Sequence, residues 1–457
     1  MQVGTVQKLI SIFNQSFHEL GVPVSLEKLE DLSVTIHRAM TVQARHFHTL
    51  EHVFTFVDPN NAIRTLAALY HDIVYFQVDM GFSPQIWDLI SPYIRQENND
   101  FYVTENLAPE ERIIFMALDV FNLHPGQKLS SVAALNEFLS VVVMIKQLGE
   151  LLSEKDLMRM LLCIEATIPF RGFTADGKNH FDLLEERLPE IIDRYQLDIS
   201  HDELIESIKT AVFFANKDIE NFAEVDPGRF LDNTWKLLPE TNAALRLPDV
   251  YSIGTYRQAL LKMAAFFENL NVDAVFSQYR GVPSNEEYSQ MMRLAKNNVR
   301  VANNYLSIKI LGVTILEALA KATGGDAPLS LFMGDVPREG ITIKRLEYFL
   351  PELEDPSWAD HNSVIYKLLE SGRAGETSFD MKNSPLSLFV YKSIPPGQMS
   401  LYLRRAQDFY SGALSPVDWL NEIDTAVIQP IARASSIMVF TRRLALLKLA
   451  GEESPVE

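Results

Sequence analysis

Apolar residues recur at intervals of three and four along almost the whole chain, whereas long runs that alternate apolar and polar residues are scarce. Intervals of three and four place apolar side chains on one face of an α-helix, and strict alternation would indicate a half-buried strand. The chain has 457 residues, 47% of them hydrophobic, which is enough for two or three domains that each bury a core. The sequence therefore predicts an all-α protein.

Two segments rich in proline, glycine and polar residues interrupt the helical pattern. The first, 238–254, reads LPETNAALRLPDVYSIG, and the second covers 322–342. Proline and glycine both disfavour a continuing helix, so such segments are typical of connections between elements or domains. We expect one helical domain over residues 1–240 and an additional C-terminal helical domain over residues 241–457, for which the sequence indicates no role.

The charge balance argues against polyanionic partners. Asp and Glu number 60 and Lys and Arg 41, a net charge of −19 that repels nucleic acid and anionic membrane surfaces. The best candidate for a membrane span, YLSIKILGVTILEALA, contains Lys309 and Glu317. The opening segment resembles an amphipathic helix more than a signal peptide, and the lone Cys163 has no partner for an internal disulfide. We therefore expect a cytoplasmic protein that binds neither nucleic acid nor membrane.

The stretch RHFHTLEHV, residues 45–53, carries His48 and His52 four positions apart, within a helix that we predict over 44–57. This spacing puts both imidazoles on one helical face. There they can ligate one metal ion together, or one can ligate while the other transfers a proton. Two ordinary histidines that happen to lie four apart fit the pattern equally well.

The next predicted helix, 60–76, contains the adjacent residues His71 and Asp72 in the otherwise apolar stretch AIRTLAALYHDIVYF. An aspartate that is buried without a partner is costly and usually becomes neutral or binds a cation. Arg64 is a possible partner, but it lies two turns away along the helix. A divalent metal ion held by His52, His71 and Asp72 accounts for the buried charge and for the histidines together.

These two motifs, FHTLEH and HDIVY, resemble those of the HD superfamily of metal-dependent phosphohydrolases. The similarity is greatest to a small bacterial group in which an R-x-[YF]-H-x-x-x-H helix precedes an H-D helix, and it extends distantly to the cyclic-nucleotide phosphodiesterases. The resemblance covers roughly residues 30–235. It implies an HD-type helical domain in which His52, His71 and Asp72 ligate metal and His48 donates a proton to the leaving group.

The superfamily's remaining ligand is a second aspartate on a later helix. Asp119, Asp182 and Asp218 are all of the right type. We favour Asp218, because Phe214, Asp218 and Phe222 share one helical face, so the carboxylate should point inward among aromatic rings. Charged neighbours favour a solvated Asp182, and Asp119 stays open as an alternative.

Two later segments also match motifs of the family. The segment LNEFLS supplies Asn136, Glu137 and Ser140 of an N-E-x-x-S motif, more than 50 residues after Asp72. The segment CIEATIPFRG supplies an I-x-A-T element, but it lacks the histidine that follows this element in the family. The other histidines, His180 among them, have no partner that the sequence can identify.

Three further residues are candidates for catalysis or substrate binding. Glu165 lies within the apolar I-x-A-T helix, where it either pairs with Arg171 or Arg159 or orders the catalytic water, so we count it as a candidate catalytic residue. Arg171 is a candidate phosphate-binding residue, because a guanidinium can bind two phosphate oxygens at once. Arg45 is likewise a candidate for binding the substrate phosphate. Structural roles for both arginines stay open.

Together these residues lead us to expect a metal-dependent phosphohydrolase that cleaves a small phosphoester, such as a nucleotide, by means of a metal-bound hydroxide. Ligation by imidazole and carboxylate suits Mn, Fe, Co, Ni, Zn or Mg. Two alternatives stay open: a non-catalytic module that binds a ligand or a protein, and a diiron oxygenase on the same scaffold. The C-terminal domain is a candidate surface for a protein partner or for a homo-oligomer.

Overall fold

The computed structural model describes residues 4–98, 100–130, 134–247, 250–335, 343–375, 377 and 379–452. Helices dominate these residues, and the sheet found among them has three short strands. The prediction of an all-α protein is therefore confirmed. Within the described part of the chain, no helix is both long and apolar enough to cross a membrane.

The chain divides into two compact units, of which the first comprises residues 1–223 and 271–295 and the second residues 224–270 and 296–457. The expected boundary at residue 240 rests on local composition, whereas this division follows contacts between distant residues. Asn216, for example, donates a hydrogen bond to the carbonyl of Ser277 and accepts one from its amide. Such bonds join 271–295 to the first unit and leave no signal in local composition.

Among its described residues up to 223, the first unit contains eleven short to medium helices. They are α1 (Thr5–Glu19), α2 (Leu26–Met40), α3 (Leu50–Phe54), α4 (Ala62–Tyr70), α5 (Phe76–Asp79), α6 (Pro84–Ile90), α7 (Arg112–Phe121), α8 (Leu135–Leu148), α9 (Glu154–Ala166), α10 (His180–Arg194) and α11 (His201–Asp218). Helix α9 packs against α4, α7, α8 and α11 and is the centre of this unit. It therefore brings α4 and α11, which are far apart in sequence, to the same core.

The later part of the chain is also helical. Its helices are α12 (Pro227–Trp235), α13 (Leu237–Thr241), α14 (Ile253–Asn269), α15 (Asn285–Thr323), α16 (Leu329–Met333), α17 (Val364–Ser371), α18 (Pro385–Ser393), α19 (Pro396–Tyr410), α20 (Pro416–Asn421), α21 (Thr425–Met438) and α22 (Arg443–Leu449). Residues 308–320 of α15 are buried on every side, as expected for the central helix of a core.

Short 3₁₀ turns complete the helical elements, at Ser91–Tyr93, Glu220–Ala223, Ala243–Arg246, Val272–Ala274, Leu346–Phe349 and Phe440–Arg442. Apolar spacing in the sequence predicts helices over 271–280 and 343–350, but each segment contains only one such turn, so both predictions are wrong. Both are short segments in which local apolar spacing cannot distinguish one helical turn from a longer helix.

Strands β1 (Ile94–Glu97), β2 (Asp100–Val103) and β3 (Lys128–Leu129) form an antiparallel sheet in the order β1-β2-β3. Ile94 lies opposite Val103, and Phe101 opposite Leu129. Apolar spacing in the sequence predicts a helix over 84–96, and this prediction is wrong beyond residue 90, where α6 ends. Asn98 adopts a left-handed backbone conformation with φ 56° where β1 ends, and asparagine tolerates this conformation better than most residues.

Side-chain caps fix where the helices near the site begin. Ser25 and Ser153 each accept a hydrogen bond from a backbone amide in the first turn of α2 and α9, as the sequence predicts. Capping boxes at Asn179 and Ser200 begin α10 and α11. Each cap pairs amides that the first helical turn leaves free and contributes about 1 kcal/mol.

Candidate metal centre

Four side chains of the first unit converge on one small volume. One nitrogen or oxygen atom from each of His52, His71, Asp72 and Asp218 lies within 4.8 Å of the corresponding atoms of the other three. These are the four residues that the sequence predicts as metal ligands, and the structure brings all of them together. Within the described ranges, this is the one group of three or more His, Cys, Asp or Glu whose atoms could share a metal ion.

Imidazoles and carboxylates alternate around this cluster. His52 Nε2 lies 3.2 Å from Asp218 Oδ1 and 3.8 Å from Asp72 Oδ2. His71 Nε2 lies 3.1 Å from Asp72 Oδ2 and 3.5 Å from Asp218 Oδ1. His71 Nε2 and Asp72 Oδ2 are buried and have no hydrogen-bond partner of good geometry.

The alternatives to Asp218 have other partners. Asp119 accepts hydrogen bonds from Arg194 and Tyr195, both at 2.8 Å, and Asp182 completes the capping box of α10. Asp218 is the last residue of α11. Phe214, one turn before it, is fully buried and its ring lies edge-on to the His71 ring. Phe214 is therefore the inward-facing aromatic neighbour that the sequence predicts, whereas Phe222 lies in the 3₁₀ turn Glu220–Ala223 after α11 and does not continue its face.

The helices that carry the histidine motifs are shorter than predicted. Helix α3 begins at Leu50, so His48 precedes it, and the predicted helix over 44–57 is wrong. Helix α4 ends at Tyr70, so His71 is its C-cap and Asp72 lies in the turn before α5. The predicted helix over 60–76 is therefore also wrong beyond residue 70.

Side chains from other elements replace the backbone bonds that would have continued α4. Ser140 of α8 accepts a hydrogen bond from the amide of Val74, and Asn136 of α8 accepts one from the amide of Phe76. Because these amides already have partners, the chain can leave the helix at His71 without burying unpaired donors. The N-E-x-x-S segment thus fixes the turn that carries Asp72.

Arg45 is a structural residue, which corrects its assignment to substrate binding. Its side chain is fully buried. Nε and Nη2 donate to the two carboxylate oxygens of Asp79 at 2.9 and 2.7 Å, and Nη1 donates to the backbone carbonyl of Asp72 at 2.7 Å. A guanidinium held in this way cannot reach a substrate. It instead positions the backbone of Asp72 through the hydrogen bond to its carbonyl.

A hydrogen bond to the backbone fixes the orientation of the His71 ring. Its Nδ1 lies 2.8 Å from the carbonyl oxygen of Ala68, and since a carbonyl only accepts, Nδ1 carries the hydrogen. Nε2 therefore points toward the carboxylates. A histidine whose second nitrogen is held by a backbone carbonyl is the usual arrangement for a metal ligand.

The cluster is strongly coupled electrostatically. Burial alone would lower the pKa of His71, but Asp72 and Asp218 outweigh it and raise that pKa well above its ordinary value. Burial alone would raise the pKa of Asp72, but His71, His48 and His52 hold it well below its usual range. The pKa of Asp218 is also lowered, against its burial, by His52 and His71. Two ionised carboxylates thus require a cation beside them, either a proton on His71 or a metal ion.

His48 lies at the edge of the cluster. It is half-buried, its ring centroid is 6.2 Å from that of His52, and it packs edge-on against Tyr75 at 4.4 Å. It therefore does not share a helical face with His52. Its charge nevertheless contributes to the lowered pKa of Asp72, which places His48 within electrostatic reach of the cluster.

Glu165 is buried and has three partners. Its carboxylate accepts hydrogen bonds from Arg171 Nη1 and His180 Nε2, each at 2.7 Å, and lies 3.3 Å from Arg187 Nη2. Burial alone would raise its pKa, but Arg171 and His180 hold it well below the usual range. Of the alternatives left open, pairing with Arg171 is the one observed, and Glu165 is not part of the metal cluster.

His180 corrects the expectation that it lacks a partner. Its bond to Glu165 joins the start of α10 to α9, and burial lowers its pKa despite that carboxylate. The two residues are 15 positions apart, too far for any helical spacing to reveal. Arg159, the other partner considered for Glu165, instead pairs with Asp156 and Glu203.

Glu137 is a residue of the site whose role the sequence does not reveal. Burial raises its pKa to about 7, Asp72 and Asp218 add to the shift, and Arg171 opposes it. Glu137 therefore lies within electrostatic reach of both ligand carboxylates and of Arg171. Its position next to Asn136 in the N-E-x-x-S motif is the only sequence signal that points to it.

Comparison of the chain with protein-family models, with curated proteins and with solved structures finds no match.

Proposed function

We propose that the chain is a metal-dependent phosphohydrolase that cleaves a small phosphoester at the cluster of His52, His71, Asp72 and Asp218. The observation that carries this proposal is the convergence of two imidazoles and two carboxylates, with His71 Nε2 and Asp72 Oδ2 buried and without a hydrogen bond of good geometry. Buried polar atoms nearly always have a partner. A divalent ion would serve all four atoms at once.

The donor set fits a hard or borderline divalent ion. Imidazole and carboxylate ligands suit Mn, Fe, Co, Ni, Zn or Mg, and the bond from His71 Nδ1 to a backbone carbonyl orients that ligand. An ion held there would acidify water and withdraw charge from a phosphoryl oxygen.

Two neighbouring residues are suited to proton transfer. His48 lies outside the cluster and is half-buried, and a protonated imidazole is a good donor to a leaving oxygen near neutral pH. Burial raises the pKa of Glu137, and Asp72 and Asp218 raise it further in the metal-free site, so Glu137 is a candidate to accept a proton from water. We assign the general acid to His48 and the general base to Glu137.

Arg171 is the best candidate for binding the substrate phosphate. It shares the single carboxylate of Glu165 with Arg187, so the two guanidiniums carry more positive charge than that carboxylate neutralises. Its side chain is 25% exposed, and its charge acts on Glu137. The partial exposure of Arg171 and its electrostatic effect on Glu137 support this assignment.

The diiron oxygenase is the weaker alternative. Two irons need more protein ligands than four, and across the described ranges the ligating group contains His52, His71, Asp72 and Asp218 alone. No particular contact favours a module without catalysis, so the phosphohydrolase is the function we put to experiment.

The test is hydrolysis of 4-nitrophenyl phosphate, bis(4-nitrophenyl) phosphate and nucleoside monophosphates by metal-stripped protein that is reloaded with Mn or Co. We expect Asp72→Asn to lose both metal and activity. His48→Gln should keep the metal and lose about 10²-fold or more in kcat, the usual contribution of a general acid. The matched control is His124→Gln, an exposed histidine of the same unit. A fully metal-loaded protein that hydrolyses none of these esters would overturn the proposal.

A further inference from the structure

Arg171 is held in place by one residue, Glu165. Its Nη1 donates to the Oε1 atom of Glu165 at 2.7 Å, and its Nη2 donates to the backbone carbonyl of Glu165 at 3.0 Å. Every hydrogen bond that Arg171 makes with the described residues goes to Glu165, and none of these bonds uses Nε–H. A guanidinium has five N–H groups, so Arg171 keeps donors for a further acceptor.

Residues of two other helices fix the carboxylate of Glu165. This carboxylate is buried, and its two oxygens accept hydrogen bonds from His180 Nε2 at 2.7 Å and from Arg187 Nη2 at 3.3 Å, both on α10. Arg187 Nη2 also donates to the carbonyl of Val120 on α7 at 2.6 Å. Because both oxygens are bonded, the carboxylate has one favoured orientation. The position of the Arg171 guanidinium therefore depends on α7, α9 and α10 together.

The backbone just before Arg171 adopts an unusual conformation. Phe170 is left-handed, with φ 57°, which is uncommon for a residue with a bulky side chain. Such conformations persist only where surrounding contacts impose them, and they cluster at functional sites. The Phe170 ring packs edge-on against that of Phe222, with 5.7 Å between the centroids. After this residue the chain returns Arg171 to the end of α9, where the guanidinium meets Glu165.

The guanidinium of Arg171 stays accessible in spite of these contacts. Its side chain is 25% exposed, whereas that of Glu165 is 2% exposed. Arg171 and His180 line a small cavity of about 30 Å³, and Glu165 does not line it. An anion that binds beside Arg171 can therefore contact the guanidinium and not the carboxylate that holds it.

We propose that Glu165 is a positioning residue, whose buried carboxylate holds the Arg171 guanidinium where that group binds the substrate phosphate. This inference rests on the phosphohydrolase proposed above. A long side chain loses conformational entropy when a ligand orders it, and Glu165 orders Arg171 before the phosphate binds. The alternative is a structural role, in which Glu165 joins α9 to α10 and has no effect on phosphate binding.

The charge and the position of Glu165 act on phosphate binding in opposite directions. A negative charge beside Arg171 repels phosphate, so loss of the charge alone would tighten binding, whereas loss of positioning would weaken it. Glu165→Asp separates the two effects, because it keeps the charge and withdraws the carboxylate by one methylene group. We expect the Kd for inorganic phosphate to rise at least about tenfold in this variant, measured by calorimetry on Mn-loaded protein.

Kinetics give a second readout. In Glu165→Asp the KM for 4-nitrophenyl phosphate should rise about as much as the Kd for phosphate, and kcat should fall less. If Glu165→Asp does not fold, Glu165→Gln decides, since positioning predicts weaker phosphate binding there in spite of the lost negative charge. Unchanged or tighter phosphate binding in the folded variant would overturn the inference.

A cycle of variants shows whether Glu165 acts through Arg171. Arg171→Gln should itself weaken phosphate binding, and adding Glu165→Asp to it should weaken binding no further. The matched control is Glu185→Gln, which removes a carboxylate that joins α10 to Tyr279 and Arg280 and should leave the Kd unchanged. Additive losses in the cycle, or an equal loss in the control, would refute the positioning role.

Failure of this inference and failure of the phosphohydrolase give different results. A wild-type protein that binds phosphate but hydrolyses none of the esters refutes the phosphohydrolase, and its phosphate Kd still tests Glu165. A wild-type protein that hydrolyses esters, with Glu165 variants of equal KM and phosphate Kd, refutes the positioning role alone. A wild-type protein that does not bind phosphate refutes the role of Arg171 and, with it, that of Glu165.

Discussion

Asp72 and Asp218 bring two negative charges into one buried volume, where the side chains beside them are imidazoles. In the metal-free protein the proton on His71 supplies the balancing charge, since the pKa of His71 is raised well above its ordinary value. A metal ion and this proton compete for the same nitrogen. At the scale of single residues, a metal ion that binds here therefore replaces the proton on His71 as the cation that balances the two carboxylates.

This exchange predicts a pH dependence of metal binding. Because His71 is protonated in the metal-free state at pH values above its ordinary pKa, binding must release that proton, and affinity must rise with pH until the raised pKa is passed. For one proton the dissociation constant should fall about tenfold per pH unit. Titration with Mn or Co at several pH values, in two buffers of different ionisation enthalpy, measures both the slope and the proton release. An affinity independent of pH between 6 and 8 would contradict this competition.

Because Arg45 is buried and paired with Asp79, substitution of Arg45 should reduce the stability of the protein and not its binding of substrate. Arg45→Met breaks the paired bonds to Asp79 and leaves that carboxylate without its partner, which should cost about 3–5 kcal/mol of unfolding free energy. Arg95→Met removes an exposed arginine paired with Glu97 and should change stability by at most about 1 kcal/mol. Urea denaturation compares the two variants. A stable Arg45→Met protein with a raised KM would restore the substrate-binding role.

At the scale of elements, the site depends on where helices end. Helix propensity and apolar spacing favour a helix that continues beyond Tyr70, and the sequence accordingly predicts a helix over 60–76. The chain turns at His71 because Ser140 and Asn136 of α8, together with Arg45, bond the backbone of the following turn. Local patterns cannot predict this ending, since the residues responsible lie far away in sequence. By contrast, α2 and α9 begin where the sequence predicts, because their capping serines are local.

Removal of one hydroxyl group, that of Ser140, tests whether α8 anchors the turn that carries Asp72. Ser140→Ala leaves the buried amide of Val74 without a partner, which should cost about 1–3 kcal/mol. It should also weaken metal binding, because the turn carrying Asp72 loosens. Ser33→Ala is the matched control. Ser33 is a buried helical serine whose hydroxyl donates to the carbonyl of Leu29 within its own helix, and its loss leaves no amide unpaired. Equal effects of the two changes on metal affinity would refute the anchoring role.

At the scale of the whole molecule, the sequence predicts the features that local patterns encode and misses those that depend on contacts between distant residues. The all-α class follows from periodicity repeated over the entire chain, and His52, His71 and Asp72 follow from two short motifs. Asp218 could be proposed because Phe214, one turn before it on α11, indicates an inward-facing side of that helix. His180 remains undetected, because it becomes significant only through a partner on another helix. Long-range contacts likewise define the two units, and local composition does not contain them.

A ligand that binds only the folded protein stabilises it. Metal at 100 times its dissociation constant should therefore raise the unfolding free energy of the first unit by about 2.7 kcal/mol. Thermal unfolding of the full chain should show a first transition that moves with added Mn or Co. Asp218→Asn should abolish the shift. A transition that moves equally in the variant would indicate metal bound elsewhere.

Elemental analysis of the purified protein, after dialysis against metal-free buffer, tests the central claim most directly. The account predicts one divalent metal ion per chain in the wild-type protein and none in Asp218→Asn, with both proteins equally folded by circular dichroism. A wild-type protein that retains no divalent ion, even after incubation with Mn, Co and Zn, or a variant that retains as much metal as the wild type, would contradict it.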